Sequence, residues 1–338
     1  MSIARLAVVA FAFVSAIVGC APAAGAGIDR VLSPVAAIPL PGTSSRFDYQ
    51  SIDPRQHLLF VAHLGDGTVD VIDLRKNDVR AVIPNISQVH GVLAVPELGR
   101  VYATATGTNE LAVIDAHSLR VVARVEAGDY PDGIAYAVPE RKLYISDETG
   151  GTVTAIDVRT NRRVATIALG GEAGNTQFDP RSNRIFVNAQ TSDQLIEIDP
   201  RRDRIVGRTA LSYCKNNHGL LVNAPARTAY IACDENATLL TYDMRTHKVT
   251  AKNSVGDEPD VLAYDARNKR LYVAAESGVV SVFAAAPAGT LSKIGMGLLA
   301  PNAHSVAVDP ATGYSYFPIQ RPSHRPVLKV FKAGTVQH

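Results

Sequence analysis

Seven polar residues recur along this chain at nearly constant spacing. Asp48, His90, Asp132, Asn175, His218, Asp260 and His304 are separated by 42, 42, 43, 43, 42 and 44 residues. Three of the nine histidines fall in this one register. Imidazoles flanked by carboxylates can ligate a borderline divalent metal such as zinc or copper, and a neutral imidazole can serve as general base near neutral pH. Seven positions spread round a ring cannot all reach one ion, so Asp48, Asp260 and His304 are the expected metal ligands. His218, His304, Glu235 and Glu276 are the candidates for a catalytic acid or base. The same seven residues also suit a plainer role, as polar groups that bond one another and channel water.

The elements that carry this register are repeats. Each copy holds four short runs of β-branched and aromatic residues separated by Gly, Pro, Asn and Asp, the pattern of four antiparallel strands. Second strands begin Phe60-Val61, Tyr102-Ala103, Tyr144-Ile145 and so on to Tyr316-Phe317, and third strands end in runs such as Val71-Ile72-Asp73 and Ala155-Ile156-Asp157. Seven copies predict an all-β, seven-bladed propeller over residues 35–338. The seventh copy has only three strands, so Val35–Leu40 is expected to supply the fourth and close the ring without an open sheet edge. With first strands innermost, the seven residues ring the upper end of the central channel. The loops after the second strands are expected to bring His63, Asp66, Asp147, Glu148, Gln190, Asp234, Glu235 and Glu276 to the same mouth, and no arginine stands out among them. The opposite turns are basic, with Arg159, Arg162, Arg163, Arg201, Arg202 and Arg270 among them.

Leu143-Tyr144-Ile145-Ser146 followed by Val153-Thr-Ala-Ile156-Asp157, and again Leu271-Tyr272-Val273-Ala274, resemble the repeat of the YVTN-repeat (YncE-like) β-propellers, exported bacterial proteins. The resemblance implies a scaffold with a central site, not a reaction. Neighbouring lactonase propellers of the gluconolactonase type hold calcium with Glu, Asn and Asp. Asn175 and Asp260 match that set, but histidine at three ring positions departs from it, and calcium prefers an all-oxygen shell. The expected function is therefore an exported binding module that takes a metal, a small polar ligand or a periplasmic partner protein at its mouth. The alternative is a lactonase-type hydrolase in which a histidine activates water beside a metal-held carbonyl.

Residues 1–20 read as an export signal, a basic start followed by an apolar stretch too short to span a bilayer. Its end, Ile17-Val18-Gly19-Cys20, resembles a bacterial lipobox with Cys20 as the acylated residue, although cleavage after Ala23 is a rival reading. Residues 21–34 are expected as a linker, and the periplasm or cell envelope as the location. Cys214 and Cys233 are then the remaining cysteines, which an oxidising compartment tends to pair. Two thiolates binding a soft metal beside His218 are the other reading. No Cys-x-x-Cys-His occurs, so covalent haem attachment is excluded. A net charge of +2, from 34 Lys and Arg against 32 Asp and Glu, argues against nucleic acid as partner. A monomer is expected, with the basic turns available to an anionic membrane surface.

Overall fold

One aromatic per repeat explains how the blades pack. Phe60, Tyr102, Tyr144, Phe186, Tyr230, Tyr272 and Tyr316 sit at equivalent points of the second strands, and none is more than 1% exposed. Each belongs to a different apolar cluster, and each cluster joins one blade to the next. The core is thus a ring of seven interfaces, to which each buried aromatic contributes about 2 kcal/mol from area alone.

The computed structural model describes residues 27–287, 289–321 and 323–335. The proposed export signal, Cys20 and the first part of the linker lie outside the described residues. Seven four-stranded antiparallel sheets are present. Blade three is representative, running outward from Pro131–Ala137 through Lys142–Asp147 and Thr152–Asp157 to Arg162–Ala168. In blade seven the outermost strand is Leu32–Pro39, paired antiparallel with Val327–Ala333. Closure occurs as expected, with a strand that starts three residues earlier than Val35. One helical turn, Ile28–Val31, precedes it, so the linker is already ordered here.

Arg270 was expected on the basic face, but it is 7% exposed and works inside the closure. Its guanidinium donates to the carbonyls of Val31 (2.8 Å) and Gly334 (2.5 Å), tying the first and last strands together. Since Arg270 opens the second strand of blade six, the N-terminal segment leaves from the side carrying the turns between first and second strands. Much of the remaining basic surface is paired locally. Arg159 meets Asp157, Arg163 meets Glu126 (3.1 Å), Arg201 meets Glu140 (3.7 Å) and Arg202 meets Asp199 (3.7 Å). No helix among the described residues is long and apolar enough to cross a membrane.

Arg270→Ala removes two charge-assisted hydrogen bonds and strands two carbonyls. We expect it to destabilise the protein by about 3 kcal/mol, read as a lowered denaturant midpoint; an unchanged midpoint would show that closure does not depend on this side chain.

Candidate functional site at the channel mouth

Each innermost strand of blades two to six breaks register where the recurring polar residue sits. The shifts fall at Val89/Val92, Pro131/Ile134, Ala173/Thr176, Asn217/Leu220 and Pro259/Leu262, enclosing His90, Asp132, Asn175, His218 and Asp260. Such a bulge inserts an extra residue and re-aims a side chain, here toward the channel. Side chains of one blade then fix the backbone of the next, two of them from second strands and Ser305 from the entry to an innermost strand. Thr104 Oγ1 donates to the Asp132 carbonyl (2.9 Å), Asn188 Nδ2 to the His218 carbonyl (2.8 Å), and Ser305 Oγ to the Asp48 carbonyl (2.6 Å) across the closure. Gly91 and Gly219 allow this approach. A Cβ on either would lie 2.1 Å from the carbonyl oxygen of Asp132 or Asp260 respectively.

The result is a mouth of about 490 Å³. Of the expected ring, Asp48, His90, Asp132, His218 and Asp260 line it. Asn175 sits lower, in a narrower part of the channel that Tyr49 also lines. His304 is packed behind the lining and is 1% exposed. Two further registers, with Tyr49 and Glu172, complete the wall. Second-strand exits contribute Glu148, Gln190, Asp234 and Glu276, as expected, while positions two residues before the ring contribute Arg46, Tyr130, Asn216 and Glu258. In that second register Gln88, Tyr130, Asn216, Glu258 and Asn302 all adopt φ between 48° and 59°. Left-handed backbone at five equivalent non-glycine positions is strain held by the surrounding structure.

Arg46 corrects the expectation that the mouth has no arginine. Its guanidinium lies 2.5 Å from Glu276 Oε1 and 3.6 Å from Asp48 Oδ2. His218 Nε2 lies 3.2 Å from Asp260 Oδ1. Burial depresses the His218 pKa, but the Asp260 carboxylate outweighs it and raises the value to about 10, which favours the imidazolium over a neutral base. His90 is the opposite case: burial lowers it to about 4. Its Nδ1 faces the Gln88 carbonyl (2.9 Å), which places the proton there, and Nε2 accepts from the Tyr130 hydroxyl at 3.2 Å. Burial also lowers the pKa of His304, whose Nδ1 faces the Asn302 carbonyl at 3.1 Å. Its Nε2 therefore carries a free lone pair, buried without a hydrogen-bond partner and 3.9 Å from Asp260 Oδ2.

One ligand atom from each of Asp260, Glu276 and His304 lies within 4.8 Å of the others. This trio replaces the expected Asp48, Asp260 and His304. Glu276, leaving the second strand of blade six, reaches His304, with Nδ1 to Oε2 at 3.6 Å, whereas Asp48 faces Arg46. The donors are one imidazole nitrogen and two carboxylates.

Four expected mouth residues do not line the cavity. His63 is fully buried, stacked on Phe47 at 4.1 Å, with Nε2 3.0 Å from Ser45 Oγ and Nδ1 3.3 Å from Asp70 Oδ2. Ser45, His63 and Asp70 are the residue types of a nucleophile relay, but an imidazole with no exposure cannot meet a substrate. Asp66 accepts from the Thr43 amide (2.7 Å) and Ser45 Oγ (2.8 Å), so this cluster anchors the loop entering blade one. Asp147 accepts from the Gly128 amide and the Thr152 and Thr154 hydroxyls. Glu235, a catalytic candidate, is exposed on a 3₁₀ turn outside the lining.

Cys214 and Cys233 form a disulfide with Cα atoms 5.3 Å apart, which removes the reading of two thiolate ligands. The bridge flanks a hydrogen bond from the Asp234 amide to the Asn216 carbonyl (2.9 Å), and both those residues line the mouth.

Among solved structures, the fold is similar to a chain of Kuenenia stuttgartiensis hydrazine synthase, at 15% identity over 86% of this chain and 96% of that one, with a TM-score of 0.74. It is also similar to the RRP9 WD40 repeats and to U3-55K, each at 11% identity, 89% coverage of this chain and a TM-score of 0.75, covering 99% and 100% of those chains. The likeness is one of fold alone. No family model and no curated protein matches the chain. What the mouth does must therefore be argued from its own residues.

Burial raises the Asp132 pKa to about 7 against the pull of His218, and the Glu148 and Asp260 carboxylates add to the rise. A raised folded-state pKa contributes stability that is complete below the ordinary carboxylate range and is lost as pH climbs through about 7. Asp132→Asn cannot ionise. Its melting temperature should exceed that of the wild type by a margin that grows from pH 4 to pH 7, reaches a few kcal/mol in stability, and then levels off. A variant less stable than wild type at pH 8 would show that the Asp132 charge is already neutralised.

Proposed function

We propose that this chain is an exported propeller of the YVTN-repeat type that binds one divalent metal, zinc or copper, at Asp260, Glu276 and His304 and presents it to a small polar ligand in the mouth. The observation that carries this reading is the free, buried Nε2 lone pair of His304, 3.9 Å from Asp260 Oδ2, in a residue that also groups with Glu276. A buried acceptor left unpaired costs about 1–3 kcal/mol. A metal ion satisfies it and the acidic pair together. The fixed Nδ1–H of His304, donated to the Asn302 carbonyl, is the arrangement that orients a metal-binding imidazole. Arg46 is the resident counter-ion of Glu276, so an incoming metal competes with it.

A periplasmic or envelope location, with Cys20 as the lipid anchor, is supported by the N-terminal sequence and agrees with the disulfide. The hydrolase alternative is less well supported. Its base must be a neutral imidazole open to the mouth, whereas His218 is held as an imidazolium by Asp260, His90 spends its lone pair on Tyr130, and His304 lies behind the lining.

Protein purified without a histidine tag should carry, or take up on titration, one equivalent of zinc or copper. His304→Ala should weaken uptake at least tenfold, about 1.4 kcal/mol, without loss of fold, and Arg46→Gln should strengthen it by freeing Glu276. Absence of saturable uptake, or unchanged uptake in His304→Ala, would overturn the reading.

A further inference from the structure

We propose that the same mouth holds a linear di- or polyamine along the arc formed by blades three to six, beside the metal position. This takes the mouth to be the functional site, but does not require the metal to be bound. Eight carboxylates line the cavity. Arg46 and His218 pair with Asp48, Glu276 and Asp260. Among the described residues, Asp132, Glu148, Glu172, Asp234 and Glu258 form no salt bridge within 4.0 Å.

Asp132 points independently to a missing ligand. The residue is 2% exposed, it lines the cavity, and its Oδ2 has no hydrogen-bond partner. A buried carboxylate oxygen in that position calls for a donor from outside the chain.

The spacing of the carboxylates selects the kind of cation. A metal needs its donors to converge at about 2.0–2.6 Å, and among the described residues only Asp260, Glu276 and His304 come close to converging. The five free carboxylates are spread over four blades, too dispersed for one ion. An alkylammonium group carries its own N–H donors, and a chain of such groups separated by methylenes meets dispersed carboxylates in turn. A cavity of about 490 Å³ has room for such a chain. Tyr130, half-buried in the lining beside His90, brings an aromatic ring within reach of a cation or its methylenes.

Isothermal titration of the full chain with spermidine and with putrescine, at low salt and in both metal-free and zinc-loaded forms, tests this. Spermidine should bind more tightly than putrescine, and added salt should weaken both. Asp132→Asn combined with Glu148→Gln should cut spermidine affinity at least tenfold while leaving zinc uptake unchanged, and Asp234→Asn with Glu258→Gln should do the same from the other end of the arc. His304→Ala should leave spermidine affinity within about twofold. Amine binding in a protein that takes up no zinc would support this inference while the metal reading fails. No saturable binding at millimolar amine, or binding lost in His304→Ala and kept in both carboxylate pairs, would overturn it.

Discussion

Everything at the mouth depends on how closely each innermost strand approaches the next. Where blade two meets blade three and blade five meets blade six, the inner backbones leave no room for a side chain, which is why Gly91 and Gly219 abut the carbonyls of Asp132 and Asp260. A carbonyl crowded in this way must still be hydrogen-bonded. Thr104 supplies the donor to Asp132 from the neighbouring blade, as Asn188 and Ser305 do for the carbonyls of His218 and Asp48. The backbone of the ring residues is therefore fixed by other blades, and their side chains have one direction left, into the channel.

That geometry concentrates charge in a place a folding chain would otherwise avoid. Asp48 shows the consequence: burial, with Asp260 and Asp132 close by, pushes its carboxyl well above the usual range even though Arg46 pulls the other way. The apolar interfaces farther out, each with its fully buried aromatic, carry the stability that lets the mouth remain frustrated. Binding sites commonly trade stability for function in this way, and here the two are separated radially, with packing at mid-blade and unpaired charge at the axis.

The architecture was legible because a propeller writes its period into the chain. A spacing of about 42 residues, an aromatic in every second strand and a missing strand in the last copy led to seven blades and an N-terminal closure. The ring was legible for the same reason. What the period could not supply was contact between registers. Arg46 occupies a position whose equivalents are Gln88, Tyr130, Ala173, Asn216, Glu258 and Asn302, so no residue type repeats there to attract notice. His63 looked like a mouth residue because it ends a second strand, but Phe47 and Asp70 draw it into the blade. Of the five left-handed residues just before the ring, Gln88, Tyr130 and Glu258 are invisible in composition, since glycine and asparagine are the residues that advertise that conformation.

Arg46 and His218 show why a closed ring is useful for recognition. Each is a cation placed by one blade and spent on a carboxylate of another: Arg46 of blade one on Glu276 of blade six, His218 of blade five on Asp260 of blade six. Both neutralise the side of the mouth where the metal trio lies, so the negative potential is left over blades three to five and the entry to blade six. Sequence repetition alone would distribute charge evenly round the axis. Two substitutions in the repeat give the mouth a polarity, and an elongated cation is then drawn to the acidic arc and away from Arg46 and His218. Without Arg46 and His218 the ring would be close to a uniform sink for counter-ions, attracting cations strongly but distinguishing poorly among them.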